Sequence, residues 1–590
     1  MIKIFVPRPE DEAKPVADPK PGADAASTRY VLPVIPEAVL ERHGARVLRP
    51  SDTAVVADEP RPSPTVYRSG VLLIPGNLME EATVRALNEI LEDIGVRLEP
   101  PPPLDKNLSR REHFAAMPRA VEIAPVGTFL GEPIDAWTVL QRLRAGVRAA
   151  LEPVGKPKGK KRTLTKKAKG ARKHAERLES AVGAITLDHL LVGSAVDGAG
   201  GALLVGTNTA TNGSPDLSDL FGRPAIGTSG RIPVTVALND LDPPSIGENA
   251  TRRPVVAVLD TGIAVDPCHR WLKPLAERAV PIDRDAVVLV DPVLQEHIAG
   301  AARSGHGIPR IPISGYADRP SIEEPLLGDL STHAGHGTFI AGIIRQLAPG
   351  AQIYTVRVMH PDGFAHQADV VFALTSIVDD VERAHAGGKL PEDALPVDVV
   401  SLSLGYFHET DEERKVTADL EPLLRKLTDA GVTVVAAAGN FSTSREFYPA
   451  ALKTVLNGPA AAPLISVGAL NPNMSTARFS DEAPWVTCFA SGAAIVSSLP
   501  AIQGPQQAPT RAGRRQSFDP DDFTSMFGIW SGTSFAAPVV AGCIARHLHS
   551  DAGVQDGPGN TEARARRARD AWDAVQSDPS FAVPRQAEDQ

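Results

Sequence analysis

Cysteine is scarce in this chain of 590 residues, which contains only Cys268, Cys488 and Cys543. The three are far apart in the sequence and none forms a Cys-x-x-Cys pair, so neither a disulfide framework nor a zinc site is indicated. We therefore expect reduced cysteines that pack in the interior.

Long apolar runs and an excess of basic charge are also missing. No run reaches the roughly 18 apolar residues of a membrane-spanning helix, and Met1–Ala25 becomes charged and Pro-rich too soon for a secretory signal. The formal net charge of −10 excludes a global basic field that would attract nucleic acid or an anionic membrane. These absences predict a cytoplasmic protein without a membrane or nucleic-acid partner.

What is present is typical of a folded chain, with 43% apolar and 22% charged residues. Changes in composition divide the chain into five parts. We expect a loosely ordered lead-in over 1–65, a small α+β unit over 66–195, a Gly-, Asn- and Pro-rich connector over 196–250, a large α/β domain over 251–550, and a C-terminal helix and tail over 551–590.

The small unit over 66–195 alternates strand and helix signals in the order βαββαβ, which is typical of a ferredoxin-like sandwich. Asn77, three residues before Glu80, is a candidate cap for its first helix. Within this unit, 156–173 carries ten Lys or Arg residues and no acid. We interpret it as a solvated insert, because no aromatic residues interleave to stack bases; contact with nucleic acid or an acidic partner is the alternative.

After residue 251 the strands become nearly continuous apolar runs, such as Val255–Leu259 and Val432–Ala437, separated by segments of helical length. Strands of this kind are buried on both faces, so the pattern predicts a parallel sheet with helices on both sides. Ligands bind such sheets at the carboxyl ends of the strands. Conspicuous polar residues of this domain follow its strands at those ends.

Four short segments carry reactive side chains. Asp260 ends an apolar strand before Thr-Gly, His336 opens the helical segment His-Gly-Thr, Asn440 follows a strand and a glycine, and Ser534 lies in Ser-Gly-Thr-Ser. A serine hydroxyl needs a base to remove its proton, and the base needs a carboxylate to orient it. An amide donor can then stabilise the oxyanion of a tetrahedral intermediate. The four residue types therefore fit acyl transfer to serine.

In the order Asp, His, Asn, Ser, these segments resemble the signature segments of the subtilisin-like serine peptidases, the subtilase family, over about residues 252–550. The resemblance implies a three-layer αβα domain with a mostly parallel central sheet. It also implies Asp260 as the orienting carboxylate, His336 as the general base, Asn440 as the oxyanion donor and Ser534 as the nucleophile. The implied activity is serine endopeptidase cleavage of polypeptides through an acyl-enzyme, with no cofactor.

The same resemblance implies a set of substrate-binding residues. These residues form three groups. Two groups are cleft walls that pair with the substrate backbone, and the third group is a pocket for the residue before the scissile bond. These residues are Gly363 on one wall, Ser403, Leu404 and Gly405 on the other, and Ala437, Ala438 and Gly439 in the pocket. No metal-ligand set is recognised.

The small N-terminal unit resembles subtilase pro-domains in the order of its elements. That resemblance implies a unit that packs on the peptidase domain, blocks the cleft with its last strand, and is cut off by the enzyme itself between about Gly193 and Arg253. A separate recognition module is the alternative for this unit. For the whole chain, the alternative is a regulatory or scaffold protein on a catalytically silent subtilase fold.

Overall fold

The computed structural model describes residues 3–5, 35–50, 53, 61–105, 108, 111–127, 135–151, 177–194, 231–236, 252–266, 269–303, 313–319, 330–386, 390–409, 420–502, 523–550 and 560–578. The basic insert 156–173 and Cys268 lie outside these ranges. Cys488 and Cys543 are buried free thiols.

The strands, in chain order, are β1 Ile4–Phe5, β2 Ala45–Leu48, β3 Thr65–Ile74, β4 Val96–Glu99, β5 Arg119–Pro125, β6 Thr186–Gly193, β7 Ile232–Pro233, β8 Val255–Asp260, β9 Leu275–Glu277, β10 Val288–Val290, β11 Gln352–Arg357, β12 Phe364–His366, β13 Val399–Leu402, β14 Leu404–Phe407, β15 Thr433–Ala437, β16 Phe447–Tyr448, β17 Leu464–Leu470, β18 Cys488–Ser491, β19 Ile495–Ser498 and β20 Phe527–Trp530. The α-helices are α1 Glu37–His43, α2 Glu81–Leu91, α3 Glu112–Ala116, α4 Ala136–Leu151, α5 Pro292–Arg303, α6 His336–Leu347, α7 Gln367–His385, α8 Glu421–Asp429, α9 Lys453–Leu456, α10 Thr533–Ser550 and α11 Thr561–Ser577.

The larger sheet of the described chain runs in the order β1-β18-β17-β15-β13-β8-β11-β10-β9. Its strands are parallel except β1, which pairs antiparallel with β18 at one edge. Side chains of β8 alternate between two apolar cores. Ala257 and Leu259 contribute to the core that contains residues of α5, α7 and α8, whereas Val256 and Val258 contribute to the core that contains residues of α6 and α10. Helices therefore cover both faces of a mixed, mostly parallel sheet.

A second sheet joins the N-terminal unit to the α/β domain, in the order β16-β14-β6-β3-β5-β4, with β12 also on β6 and β2 on β3. Its N-terminal strands are antiparallel, and α2 and α4 share one apolar core with β3 and β6. The cap predicted at Asn77 is wrong. That residue lies in a 3-10 turn over Gly76–Leu78, and α2 begins after Glu80 without a side-chain cap.

Parts of the predicted lead-in and connector belong to the folded body. β1 extends the larger sheet, and α1 and β2 pack beside β3. From the connector, β7 pairs with β20, and the Arg231 guanidinium next to it lies 4.8 Å over the Trp530 ring. Strands as short as β1 and β7 have no hydrophobic periodicity in the sequence, so the sequence analysis did not predict them.

Within the described ranges no helix combines the length and apolarity needed to cross a bilayer.

Candidate active site

The carboxylate of Asp260 and the imidazole of His336 meet although 76 residues separate them. Asp260 ends β8 and His336 begins α6, and neither side chain has any exposed surface. His336 Nδ1 lies 2.7 Å from Asp260 Oδ1, which also accepts from the Thr261 N–H at 2.8 Å. An ionised carboxylate only accepts hydrogen bonds, so it places the imidazole proton on Nδ1. The lone pair is then on Nε2, which has no hydrogen-bond partner among the described residues.

Ser534 is the second residue of α10 and is fully buried. Its hydroxyl donates to the carbonyl of Ser403 at 3.1 Å, and the Ser403 hydroxyl donates back to the carbonyl of Ser534 at 2.9 Å. The structure therefore brings Asp260 and His336 together, while the Ser534 hydroxyl is directed to Ser403 of a predicted cleft wall. Catalytic hydrogen bonds are often incomplete before substrate binds.

The side-chain amide of Asn440 is fixed at one end and unpartnered at the other. Its Oδ1 accepts from both the N–H and the hydroxyl of Thr533, each at 2.9 Å. These two donors assign the oxygen, so Nδ2 is the opposite end. Asn440 Nδ2 is buried and has no hydrogen-bond partner in the described part of the chain. A buried donor without an acceptor is costly, and it is suited to an anion that forms only during reaction.

The end of β6 lies between the two predicted cleft walls. The Gly193 N–H donates to the carbonyl of Gly363 at 2.8 Å, and the Ser194 N–H donates to the carbonyl of Ser403 at 3.1 Å. β6 also pairs antiparallel with β12 on one side and with Leu404 and Gly405 of β14 on the other. The chain's own strand therefore pairs with both predicted walls, as an extended peptide would.

The carbonyl of Ser194 accepts from the backbone N–H of Ser534 at 3.0 Å. The predicted pocket residues lie nearby in space, since the Gly439 N–H donates to the hydroxyl of Thr533, the neighbour of Ser534, at 3.2 Å. Ala437 and Ala438 are buried and belong to the two apolar cores. Their role in binding a substrate side chain stays a prediction.

A family model described as the subtilase family matches residues 251–556, more than half of the chain. The chain belongs to the subtilase family. The predicted α/β fold with a mostly parallel sheet is thereby confirmed as subtilisin-like.

The individual relatives align with only part of this subtilase. Subtilisin BL of Lederbergia lenta is 30% identical over 220 residues, which are 36% of this chain and 62% of the relative. A thermophilic serine proteinase of Bacillus sp. (strain AK1) is 29% identical over 243 residues, which are 40% of this chain and 46% of the relative. This subtilase thus spans less than two thirds of these curated relatives. A solved cold adapted subtilisin-like serine proteinase shares 20% identity, with 55% of this chain and 87% of that chain covered and a TM-score of 0.30.

Asp318 fixes the start of the helix that carries His336 in this subtilase, and the sequence analysis missed it. Its carboxylate accepts from the Gly335 N–H at 3.0 Å and from the Thr338 hydroxyl at 2.7 Å. Burial raises the pKa of Asp318, against the lowering effect of these hydrogen bonds. Because the carboxylate caps the first turn of α6, it holds the imidazole of His336 in place. Asp318 lies outside all four signature segments, so no motif marked it.

Asp481 supports the loop that carries Asn440. Its Oδ1 accepts from the N–H groups of Phe441 at 2.8 Å and Thr443 at 3.0 Å. Gly439 adopts a φ of 115°, and a Cβ there would lie 2.2 Å from Asp481 Oδ2. Only glycine therefore fits between the strand and this carboxyl. Burial raises the pKa of Asp481 well above its usual range, against the lowering effect of its two backbone hydrogen bonds.

Replacing Asp481 tests this support. Asp481→Ala removes the acceptor of the buried Phe441 N–H and of the partly buried Thr443 N–H. We expect a loss of about 1–3 kcal/mol in unfolding free energy for the buried group and a smaller loss for the other. Asp481→Asn keeps Oδ1 and serves as the matched variant. Because the raised pKa belongs to the folded state, the wild-type aspartate loses stability as pH rises from about 4 towards that pKa, and the asparagine does not. Thermal unfolding in an inactive Ser534→Ala background measures both effects; equal stability of the two variants would contradict the assigned contacts.

Proposed function

We propose that this subtilase is a serine endopeptidase that cleaves peptide bonds through an acyl-enzyme on Ser534. The observation that carries the proposal is the 3.0 Å hydrogen bond from the Ser534 N–H to the carbonyl oxygen of Ser194, a residue held between both cleft walls. That oxygen belongs to an extended peptide whose carbonyl carbon is directed to the start of α10. A bound substrate is expected to take the place of residues 190–194.

In the acylation step, Ser534 Oγ turns from Ser403 and attacks the substrate carbonyl carbon, while its proton moves to Nε2 of His336. The resulting imidazolium is stabilised by Asp260, which contacts Nδ1 at 2.7 Å. Negative charge develops on the carbonyl oxygen, where the Ser534 N–H and Asn440 Nδ2 are the donors. One such donor contributes about 3–4 kcal/mol to lowering the barrier.

The tetrahedral intermediate collapses when His336 returns the proton to the leaving amine nitrogen. The amine product departs and the acyl group stays on Ser534 Oγ. A water molecule then attacks the ester carbonyl, with His336 again removing the proton, and the same donors stabilise the second oxyanion. Collapse of this intermediate restores the serine hydroxyl and releases the acid product.

Recognition rests mainly on the substrate backbone, because the wall contacts on residues 192–194 are main-chain pairs. One side-chain restriction adds to them. A Cβ on Gly193 would lie 2.9 Å from Cδ2 of His333. We infer that the enzyme favours glycine at the position directly before the residue that supplies the scissile carbonyl.

We further propose that the N-terminal unit is an intramolecular inhibitor, released after the enzyme cuts its own chain between Ser194 and Ala195. Its strand order β6-β3-β5-β4, with two helices on one face, supports a ferredoxin-like unit. Contacts to the helix beside the cleft support its role: Arg111 Nη1 lies 2.7 Å from Asp379 Oδ2, and Asp188 Oδ1 accepts from the Ala368 N–H at 3.0 Å.

Labelling by a fluorophosphonate tests the proposed chemistry, because this probe reacts with an activated serine hydroxyl. After incubation that allows self-cleavage, we expect peptide mapping to find the label on Ser534 and none on Ser531, three residues earlier. His336→Ala should remove the label. Labelling of Ser534 that is equal in the His336→Ala variant would contradict the base assigned here, and absence of label on Ser534 in the wild type would contradict the peptidase proposal.

A further inference from the structure

Three buried histidines meet beside the cleft, outside the site described above. They are His43 at the end of α1, His360 after β11, and His366 at the end of β12, and each has at most 4% of its surface exposed. One ring nitrogen of each lies within 4.8 Å of the corresponding nitrogens of the other two. The cluster therefore joins the N-terminal segment to the α/β domain at a point that the serine chemistry does not use.

Contacts with carboxylates at the outer edges of two of the rings decide where the ring protons are. His43 Nε2 lies 3.0 Å from Asp362 Oδ2, and His366 Nδ1 lies 3.5 Å from Asp369 Oδ2. A carboxylate accepts but does not donate, so in the neutral rings the protons belong on these outer nitrogens. The inner nitrogens, His43 Nδ1 and His366 Nε2, then face each other at 3.1 Å with two lone pairs. Two lone pairs at this distance repel unless a cation lies between them.

His360 supplies a third inner nitrogen. Its Nε2 is buried and has no hydrogen-bond partner within the described ranges. Buried polar atoms without a partner are uncommon in folded proteins. The ring centroid of His360 is 4.9 Å from that of His43 and 5.4 Å from that of His366. Since one nitrogen of each ring lies within 4.8 Å of the other two, the three imidazoles can converge on one ion.

We propose that His43, His360 and His366 bind one divalent transition-metal ion, for which zinc is the best match. Three imidazoles with a fourth open position form a recurrent zinc site. The outer carboxylates of Asp362 and Asp369 orient the ring protons as carboxylates do around metal-bound histidine. With Zn–N bonds of about 2.0–2.1 Å the nitrogens would lie about 3.4 Å apart. The nitrogens of His43 and His366 are already near that separation, at 3.1 Å, so only the wider separations, which reach at most 4.8 Å, need to shorten.

The position of the ion would give it a mechanical effect, and this step rests on the proposed function. His360 and His366 flank Gly363, whose carbonyl accepts from the Gly193 N–H. His43 lies on the other side of the proposed cut, in the segment to be released. A metal ion shared by these residues would clamp the cut N-terminal fragment to the cleft wall and prolong inhibition.

Binding is tested in the untagged full-length Ser534→Ala chain, freed of metal by a chelator. We expect equilibrium dialysis against Zn²⁺ to give one tightly bound ion per chain, and Co²⁺ to give the visible absorption of a tetrahedral nitrogen-rich site. His43→Gln and His366→Gln should each lower zinc affinity by about 10–100-fold or more. The matched control is His113→Gln, since His113 also bridges the two units, 2.6 Å from Glu382, but lies outside the cluster.

The outcomes separate a metal ion from a proton shared between the inner nitrogens. Zinc should raise the unfolding temperature of the parent chain and of the His113 control, but not of the two cluster variants. No tetrahedral Co²⁺ spectrum in the parent chain, or zinc affinity that both cluster variants retain, would overturn the metal site. A proton alone would give pH-dependent stability without bound zinc. Because the nucleophile is absent, none of these results depends on self-cleavage.

The clamp is tested in the active chain after self-cleavage. With zinc present, we expect the N-terminal fragment to co-elute with the peptidase fragment in size-exclusion chromatography, and a chelator to speed its separation. Release that is equally fast with and without zinc would overturn the clamp.

Discussion

Ser534→Ala is expected to slow self-cleavage by about 10⁶-fold, the loss found when subtilisin loses its serine. In the proposed mechanism the Ser534 hydroxyl is the side chain that forms a bond to the substrate carbon, so the other proposed site residues cannot replace it. The rate is measured as the first-order loss of full-length chain after dilution from denaturant. On this scale the variant stays full length while the wild type is cut.

The matched control is Ser531→Ala. Its hydroxyl accepts from the Ala494 N–H at 3.0 Å in an exposed turn, so we expect self-cleavage near the wild-type rate. The measured rate should also be independent of protein concentration, because the nucleophile and the peptide bond that it cleaves belong to the same chain. A Ser534→Ala chain that is cut as fast as the wild type would contradict the nucleophile.

Asp260→Asn is expected to slow the same reaction by about 10⁴-fold, the loss seen when a triad aspartate is replaced by asparagine. The neutral amide cannot stabilise the imidazolium of His336, and it permits the tautomer whose proton is on Nε2. In that tautomer the base has no lone pair for the serine proton. The fold should persist, because the amide oxygen can still accept from the Thr261 N–H.

The control for this change is Asp266→Asn, because the Asp266 carboxylate accepts from the Ala501 N–H at 3.2 Å and has no role in the proposed mechanism. We expect little change in rate from it. If Asp260→Asn cleaved itself at the rate of this control, the pairing of Asp260 with His336 would have no catalytic role.

The four residues proposed to act in catalysis could be selected from the sequence because each lies in a short segment with its own local pattern. Asp260 follows an apolar strand, and the helix of His336 begins at the residue itself. The sheet then brings strand ends to one edge, as parallel strands do. Residue types at strand and helix ends suggested acyl transfer to serine, and the resemblance to subtilase signature segments implied the role of each of the four residues.

The supporting residues could not be predicted in this way. Asp318 and Asp481 act through backbone N–H groups of other loops, and such contacts depend on tertiary geometry alone. The three clustered histidines come from segments more than 300 residues apart, without metal-ligand spacing. Nor does the sequence mark Ser194 as the residue whose carbonyl meets the Ser534 N–H, since its neighbours Gly193 and Ala195 resemble the rest of a Gly-rich segment.

Terminal sequencing of the peptidase fragment after self-cleavage tests the central claim most directly, that the strand ending at Ser194 lies in the cleft as a substrate. The account predicts a fragment that begins at Ala195 in the wild type and does not form in Ser534→Ala. A first residue elsewhere between 196 and 253, or a mature active enzyme that is still full length, would contradict it.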